Sequence, residues 1–138
     1  MTGNEENFVK NVVNSSIDVI SSINEIHEDI DKAVKTLEEC LKQGNKIIIF
    51  GNGGSAADAQ HIAAELISRF YKDRKSIPAI ALTTDSSIIT SIGNDYSFEL
   101  IFSRQCEGLV NEGDVVIAIS TSGNSKNVLE GIKVAKKK

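Results

Sequence analysis

His61 and Glu65 stand four residues apart in Asp58-Ala-Gln-His-Ile-Ala-Ala-Glu65, a helical pattern that puts the imidazole and the carboxylate on one face, a turn apart. The pair suits two chemistries. Imidazole nitrogen and carboxylate oxygen are ligands for Zn²⁺ or a similar ion, although two donors do not make a site, since zinc takes about four. Alternatively, Glu65 is a general base: screened from water beside a bound phosphosugar, it could take a proton alpha to a carbonyl. Taken alone, the spacing is ordinary for a surface pair; the loop leading into it sets this one apart.

That loop is Gly51-Asn-Gly-Gly54. It follows Lys46-Ile-Ile-Ile-Phe50, a β-rich run that reads as a buried strand, and precedes Ser55, which opens the helix. Ser55 and Asp58 have the spacing of a capping box. Backbone N–H groups of such a turn point out of the end of the strand and form an anion seat. A second loop, Ser120-Thr-Ser-Gly-Asn-Ser125, repeats the arrangement after Val115–Ile119. Ser120, Thr121, Ser122 and Ser125 offer hydroxyls and N–H groups to one phosphate without any positive side chain. Asn94-Asp95, following Gly93, are either loop caps or partners for sugar hydroxyls.

The glycines do not spell a nucleotide motif. Gly51-Asn-Gly53-Gly-Ser-Ala lacks the third glycine of a dinucleotide fingerprint, and no acidic residue closes the second strand. The Gly-Lys-Ser/Thr ending of a triphosphate loop is also missing.

The elements that must position these loops follow from periodicity. Two amphipathic helices over about 6–43 carry Phe8, Val12, Ile17, Ile20, Ile30, Leu37 and Leu41 at helical steps. They have either a sheet face or another subunit to cover. Strands are expected at 46–50, 77–83 and 115–119, with Pro78 suiting a strand start. Helices are expected at 55–70, 86–92, 98–110 and 126–137, and the basic turn Arg69 to Lys75 reads as a solvated loop. Apolar strands alternating with helices call for an α/β fold: a parallel sheet with helices on both faces, and a ligand crevice between the first and third strands.

The 138 residues suffice for one core, preceded by a helical segment: 1–44 for the helices and 45–138 for the α/β part. With 41% hydrophobic and 25% charged residues the chain is not of disordered composition. A net charge of −4 argues against a nucleic-acid surface. No stretch approaches membrane-spanning length and Met1 to Glu6 is not a signal sequence, so no membrane is expected and a cytoplasmic location is. Cys40 and Cys106 lack metal-site or disulfide spacing. The run 115–119 reads like a central strand that a 2-1-3 order would leave on an edge, so further strands of the natural domain are expected beyond residue 138.

Three segments together, FGNGGSAADAQHIAAELISRF (50–70), ALTTDSSIITSIGNDYSFE (81–99) and AISTSGNSKNVLEGIKVAKK (118–137), resemble the sedoheptulose-7-phosphate isomerases, or phosphoheptose isomerases, of the SIS (sugar isomerase) superfamily. The likeness extends from about Lys35 onward. It implies an SIS-type three-layer α-β-α sandwich. It also implies a cytoplasmic homotetramer that isomerises sedoheptulose 7-phosphate to glycero-manno-heptose 7-phosphate for lipopolysaccharide, capsule or surface-layer glycans. On matching positions it assigns substrate contacts to Asn52, Gly53, Gly54, Ser55, Asn94 and Asp95, and phosphate contacts to Ser120, Thr121, Ser122 and Ser125. Zn²⁺ would be held by His61 and Glu65, with Glu65 also moving the proton between C1 and C2. Members of that family continue into a further segment whose glutamine and histidine complete the metal site and the acid/base pair. This sequence has neither, and His27 lies in the wrong segment to replace them. Isomerase activity is therefore expected of the parent protein rather than of these 138 residues alone. Two alternatives share the phosphate loops: a non-catalytic phosphosugar-binding SIS regulator, from which Glu65 separates this chain, and an SIS isomerase of another phosphosugar.

Overall fold

The computed structural model describes residues 3–138. It divides into two compact units, one reaching to Thr36 and the other Leu37–Lys138. The first holds α1 (Gly3–Ser22), a 3₁₀ turn at Ile23–Ile26 and the opening turns of α2 (His27–Lys42). Phe8, Val12, Ile17, Ile20 and Ile23 of this unit are exposed.

In the second unit, three parallel strands lie in the order β2-β1-β3, with β1 at Ile47–Gly51, β2 at Ala79–Ala81 and β3 at Val115–Ile119. Ile47 faces Ala79 on one side and Val115 on the other, and Gly51 faces Ile119. Every residue of β1 is buried, because alternate side chains enter two different cores. Ile48 and Phe50 join Leu82, Ile92, Ile101, Phe102, Cys106, Val110 and Val128 on one face. Ile47 and Ile49 join Ala59, Ala63, Ala79 and Ala81 on the other, where Leu37 and Leu41 of α2 also pack. Fully burying each of these large side chains contributes about 1.5–3 kcal/mol, so the apolar run 47–50 is the main stake of both cores.

The remaining helices are α3 (Gly54–Ile67), α4 (Ser86–Asp95), α5 (Ile101–Leu109) and α6 (Lys126–Ala135). α3 belongs to the second core while α5 and α6 belong to the first, which makes the expected three layers. Phe50 and Phe102 stack at 4.8 Å between ring centroids. Burial pushes the Cys106 thiol up to about 11, which keeps it an unreactive apolar filler.

Several boundaries differ from the expected ones. β2 is only three residues long, since Pro78 cannot donate to a ladder and Ile77 gives its N–H to the Leu66 carbonyl at 3.0 Å instead. α4 continues through Gly93 to Asp95, and the segment after it opens as a 3₁₀ turn at Phe98–Leu100. β3 stands at the edge of the three described strands, as a 2-1-3 order implies, and its apolar run is half-buried at each position.

The start of β1 is tied to the start of β3 by Asp114, whose side chain is 2% exposed. It accepts from Lys46 Nζ at 2.6 Å, from the Lys46 N–H at 3.0 Å and from the Asn111 N–H at 2.8 Å. Burial alone would raise the carboxyl pKa; the Lys46 ammonium and the two N–H donors outweigh it and hold the group below the usual carboxylate range. A depressed folded-state pKa means that this contribution is fully present above about pH 4, where the unfolded aspartate is ionised, and is lost as pH falls through the folded value. Asp114→Asn is expected to cost about 2–4 kcal/mol at neutral pH and to flatten part of the acid limb of the stability curve. Denaturant unfolding between pH 2 and 7 checks this; parallel curves for the two proteins would show that the carboxylate contributes nothing.

Candidate active site

The β1 exit turn is shaped by two glycines. A Cβ on Gly51 would stand 2.7 Å from the Ile119 carbonyl oxygen and 2.7 Å from the Ser55 Cβ, so only hydrogen fits where β1, β3 and α3 meet. Gly53, at φ 57° and ψ −120°, then swings the chain into the helix. This backbone turn displaces the capping box anticipated at Ser55 and Asp58. α3 begins one residue earlier, at Gly54, its first N–H groups meet the carbonyls of Asn52 and Gly53, and no side chain caps it. Ser55 is instead buried in the first turn.

The β3 exit turn is held by its own side chains. Ser120 Oγ lies 3.2 Å from Ser125 Oγ and accepts the Gly123 N–H at 3.1 Å. Ser122 Oγ accepts the Asn124 N–H at 3.2 Å, and Asn124 Nδ2 donates back to the Ser122 carbonyl at 2.8 Å. Thr121 is exposed in the same turn. Ser125 precedes α6 without a capping hydrogen bond from its side chain. The N–H groups of Lys126, Asn127 and Val128 come before the first intrahelical bond, from the Leu129 N–H to the Ser125 carbonyl at 3.0 Å, and are thus free to meet an anion. Lys126, the nearest cation in sequence, points its Nζ to Glu99 at 2.9 Å.

Because Gly51 and Ile119 are register partners, both turns leave the same end of the sheet, with α3 on one face and α6 on the other. An amide pair joins them: Asn52 Nδ2 donates to Asn127 Oδ1 at 2.8 Å and Asn127 Nδ2 donates to Asn52 Oδ1 at 2.9 Å. The pair ties the β1 turn to the first turn of α6, which follows Ser125 directly. Gly51, Asn52 and Gly53 also line a cleft of about 160 Å³ with Ala56, Thr83 and Phe102, while none of Ser120, Thr121, Ser122 and Ser125 lines it.

His61 and Glu65 lie elsewhere. Their Nε2 and Oε1 atoms are 3.8 Å apart, with the histidine side chain 74% and the glutamate 33% exposed. Both line a different cleft, of about 360 Å³, with Ile62, Leu66, Phe70 and Arg74. At 1.5 Å per residue, Glu65 is about 16 Å along α3 from Gly54. Among the described residues no group of three or more His, Cys, Asp or Glu could hold a metal ion, so this pair offers two of the roughly four donors a zinc site needs. Asn94 and Asp95 form the last turn of α4 rather than a loop, with Asn94 Nδ2 donating to Asp95 Oδ1 at 2.8 Å. Asp95 lines a third cleft, of about 370 Å³, beside Tyr96 and Arg104, whose guanidinium carbon sits 4.5 Å from the tyrosine ring centre.

Two contributors were not anticipated. Asn127 is 4% exposed; a polar residue next to Val128, one helical turn before Gly131 and Ile132, was the available signal. Arg74, read as part of a solvated loop, donates to the carbonyls of Glu65 and Leu66 at 2.8 Å each and closes the C-terminal end of α3, where positive charge is favoured.

Comparison with known proteins matches residues 11–138 to the SIS domain family. The chain is 55% identical over 128 residues to the phosphoheptose isomerase of Aquifex aeolicus, a match covering 92% of this chain and 67% of that protein. Its 107-residue match to the phosphoheptose isomerase of Campylobacter jejuni is 64% identical and covers 78% of this chain and 58% of that one. The solved phosphoheptose isomerase of Francisella tularensis superposes with a TM-score of 0.90 at 38% identity, over 99% of this chain and 71% of that chain. For the Neisseria gonorrhoeae enzyme the TM-score is 0.86 at 41% identity, over 96% and 69%. The match spans 54–67% of the length of the most similar curated relatives. The chain belongs to the phosphoheptose isomerase family of SIS domains.

Proposed function

We propose that this chain carries the phosphosugar-binding turns and the proton-moving carboxylate of an enzyme that isomerises sedoheptulose 7-phosphate to D-glycero-D-manno-heptose 7-phosphate. The observation that carries the proposal is the pair of glycine- and serine-rich turns at one end of β1 and β3, each opening a helix and joined through Asn52 and Asn127. In this scheme the phosphate takes the hydroxyls of Ser120, Thr121, Ser122 and Ser125 and the free N–H groups at the start of α6. Asn52, Gly53, Gly54 and Ser55 receive the sugar, and Asn94 and Asp95 bind its hydroxyls.

The chemistry is a proton transfer. Glu65 takes a proton from C1 of the ketose while the C2 carbonyl oxygen gains one, giving an ene-diol. Return of a proton to C2 with loss of one from the C1 oxygen gives the aldose. With about 16 Å of α3 between Glu65 and the turn, the carboxylate and the phosphate seat that serve one sugar are assigned to neighbouring copies. A homotetramer built through the exposed apolar side chains of the N-terminal helices supplies such an arrangement. His61 and Glu65 are this chain's proposed share of a zinc site, one ion per subunit. The proposed setting is the cytoplasm, where the heptose would feed surface glycans. Among the described residues no helix is long and apolar enough to cross a membrane.

Calorimetry with sedoheptulose 7-phosphate is expected to show Ser122→Ala binding about tenfold or more weakly, the loss of one hydrogen bond to a charged group. Glu65→Gln is expected to bind within a few-fold of wild type while losing about 10²- to 10⁴-fold of whatever C1–C2 exchange the chain supports. Solvent deuterium incorporation followed by NMR reads that exchange. Equal binding by Ser122→Ala, or undiminished exchange in Glu65→Gln, would contradict the proposal.

A further inference from the structure

We infer that Asn127 is a positioning residue of this site: its side-chain amide holds Asn52 in the orientation that receives the sugar, and so couples the β1 turn to the phosphate turn. The inference rests on the phosphosugar reading above and adds a residue to it. Three observations carry it. Asn127 is 4% exposed although its side chain is polar, so the amide is satisfied inside the protein rather than by solvent. Among the described residues its side chain pairs with Asn52 alone, through two opposed hydrogen bonds of 2.8 and 2.9 Å that fix both amide planes. And the two residues are 75 positions apart, Asn52 in the turn between β1 and α3 and Asn127 in the first turn of α6, so the pair joins two segments just where their helices begin.

The backbone geometry explains why a side-chain tie is needed. Past Gly51 and Ile119 the ladder ends, and no backbone–backbone hydrogen bond joins the two turns among the described residues. Gly53 and Gly54 carry no side chains to pack, and a Cβ at either would meet nothing within 4 Å. Glycines lose more conformational freedom on ordering than other residues, so a contact that fixes this turn in advance favours binding. The Asn52–Asn127 pair removes part of that freedom beforehand. Asn127 itself contributes a free backbone N–H to the start of α6, and that N–H survives any change of the side chain. Its two functions are therefore separable: the N–H belongs to the phosphate and the amide to Asn52.

That separation supplies the test. Inorganic phosphate and sedoheptulose 7-phosphate are titrated into wild type, Asn127→Ala, Asn52→Ala and the double variant by calorimetry, with thermal unfolding as the check on folding. Asn127→Ala is expected to weaken the phosphosugar about tenfold while leaving inorganic phosphate within about twofold. The double variant is expected to be no weaker than the weaker single one, since both changes remove one and the same tie. Asn127→Ser, too short to restore both bonds, is the second variant and should give the same pattern if the alanine form does not fold. Wild-type phosphosugar affinity in Asn127→Ala, equal loss of both ligands, or single losses that multiply in the double variant would each overturn the inference. A wild-type chain that binds neither ligand would overturn the phosphosugar reading and this one with it. That result is distinct from failure of the inference alone, because the loss then precedes any change at Asn127.

Discussion

The meeting of β1, β3 and α3 at the candidate site depends on the missing side chain of Gly51. The residue is the last of a fully buried strand, opposite Ile119 in register, and it lies against the first turn of α3. With a hydrogen there, β1 and β3 stay paired to their last residues and α3 starts at once. A methyl group would push against a carbonyl oxygen and a Cβ at 2.7 Å, neither of which is the far end of a flexible chain. The close approach sets the end of β3 against the start of α3, the Asn52–Asn127 pair adds the start of α6, and the candidate site at this end has no cationic side chain in either turn. Lys126 stands at the beginning of α6 but is engaged by Glu99, and what remains for an anion is a set of N–H groups and hydroxyls. Such donors suit a phosphate through oriented dipoles rather than net charge, in keeping with a chain of net charge −4.

The opposite end of the sheet is held by different physics. There the Asp114 carboxylate, almost fully buried, gathers the N–H groups of Lys46 and Asn111 and the Lys46 ammonium, fixing where β1 and β3 enter the sheet. Between the two ends, Ile48 and Phe50 serve one core and Ile47 and Ile49 the other. An ionic clamp at the entry and a steric constraint at the exit thus leave β1 little freedom to slide. That rigidity lets the exit turn be rich in glycine without losing its position.

Much of this is legible in the sequence because buried parallel strands and amphipathic helices leave periodic marks. Ile47 to Phe50 and Val115 to Ile119 are apolar runs too short for helices, and the serine- and glycine-rich segments after them stand out against the apolar background. The features that were not legible are set by contacts between distant residues. The pairing of Asn52 with Asn127 joins two asparagines, each unremarkable in its own segment. The role of Arg74 depends on the chain folding back onto the end of α3, which a cluster of basic residues does not announce. Ser55 and Asp58 have the right spacing for a cap, but the positive φ at Gly53 let the backbone start the helix first. The separation of Glu65 from the turn is simple helix arithmetic, available from the sequence once the helix is granted. What the structure adds is that the cleft beside Glu65 and the cleft beside the β1 turn are distinct.

The measurement closest to the centre is the affinity of Gly51→Ala for inorganic phosphate, read beside its thermal unfolding. Overpacking at a close contact costs about 1–3 kcal/mol, which a domain with two cores can absorb by letting the exit turn shift. The expected outcome is a protein that still unfolds cooperatively but binds phosphate at least about tenfold more weakly. A folded Gly51→Ala protein with wild-type phosphate affinity would show that the meeting of β1, β3 and α3 at this glycine does not make the site.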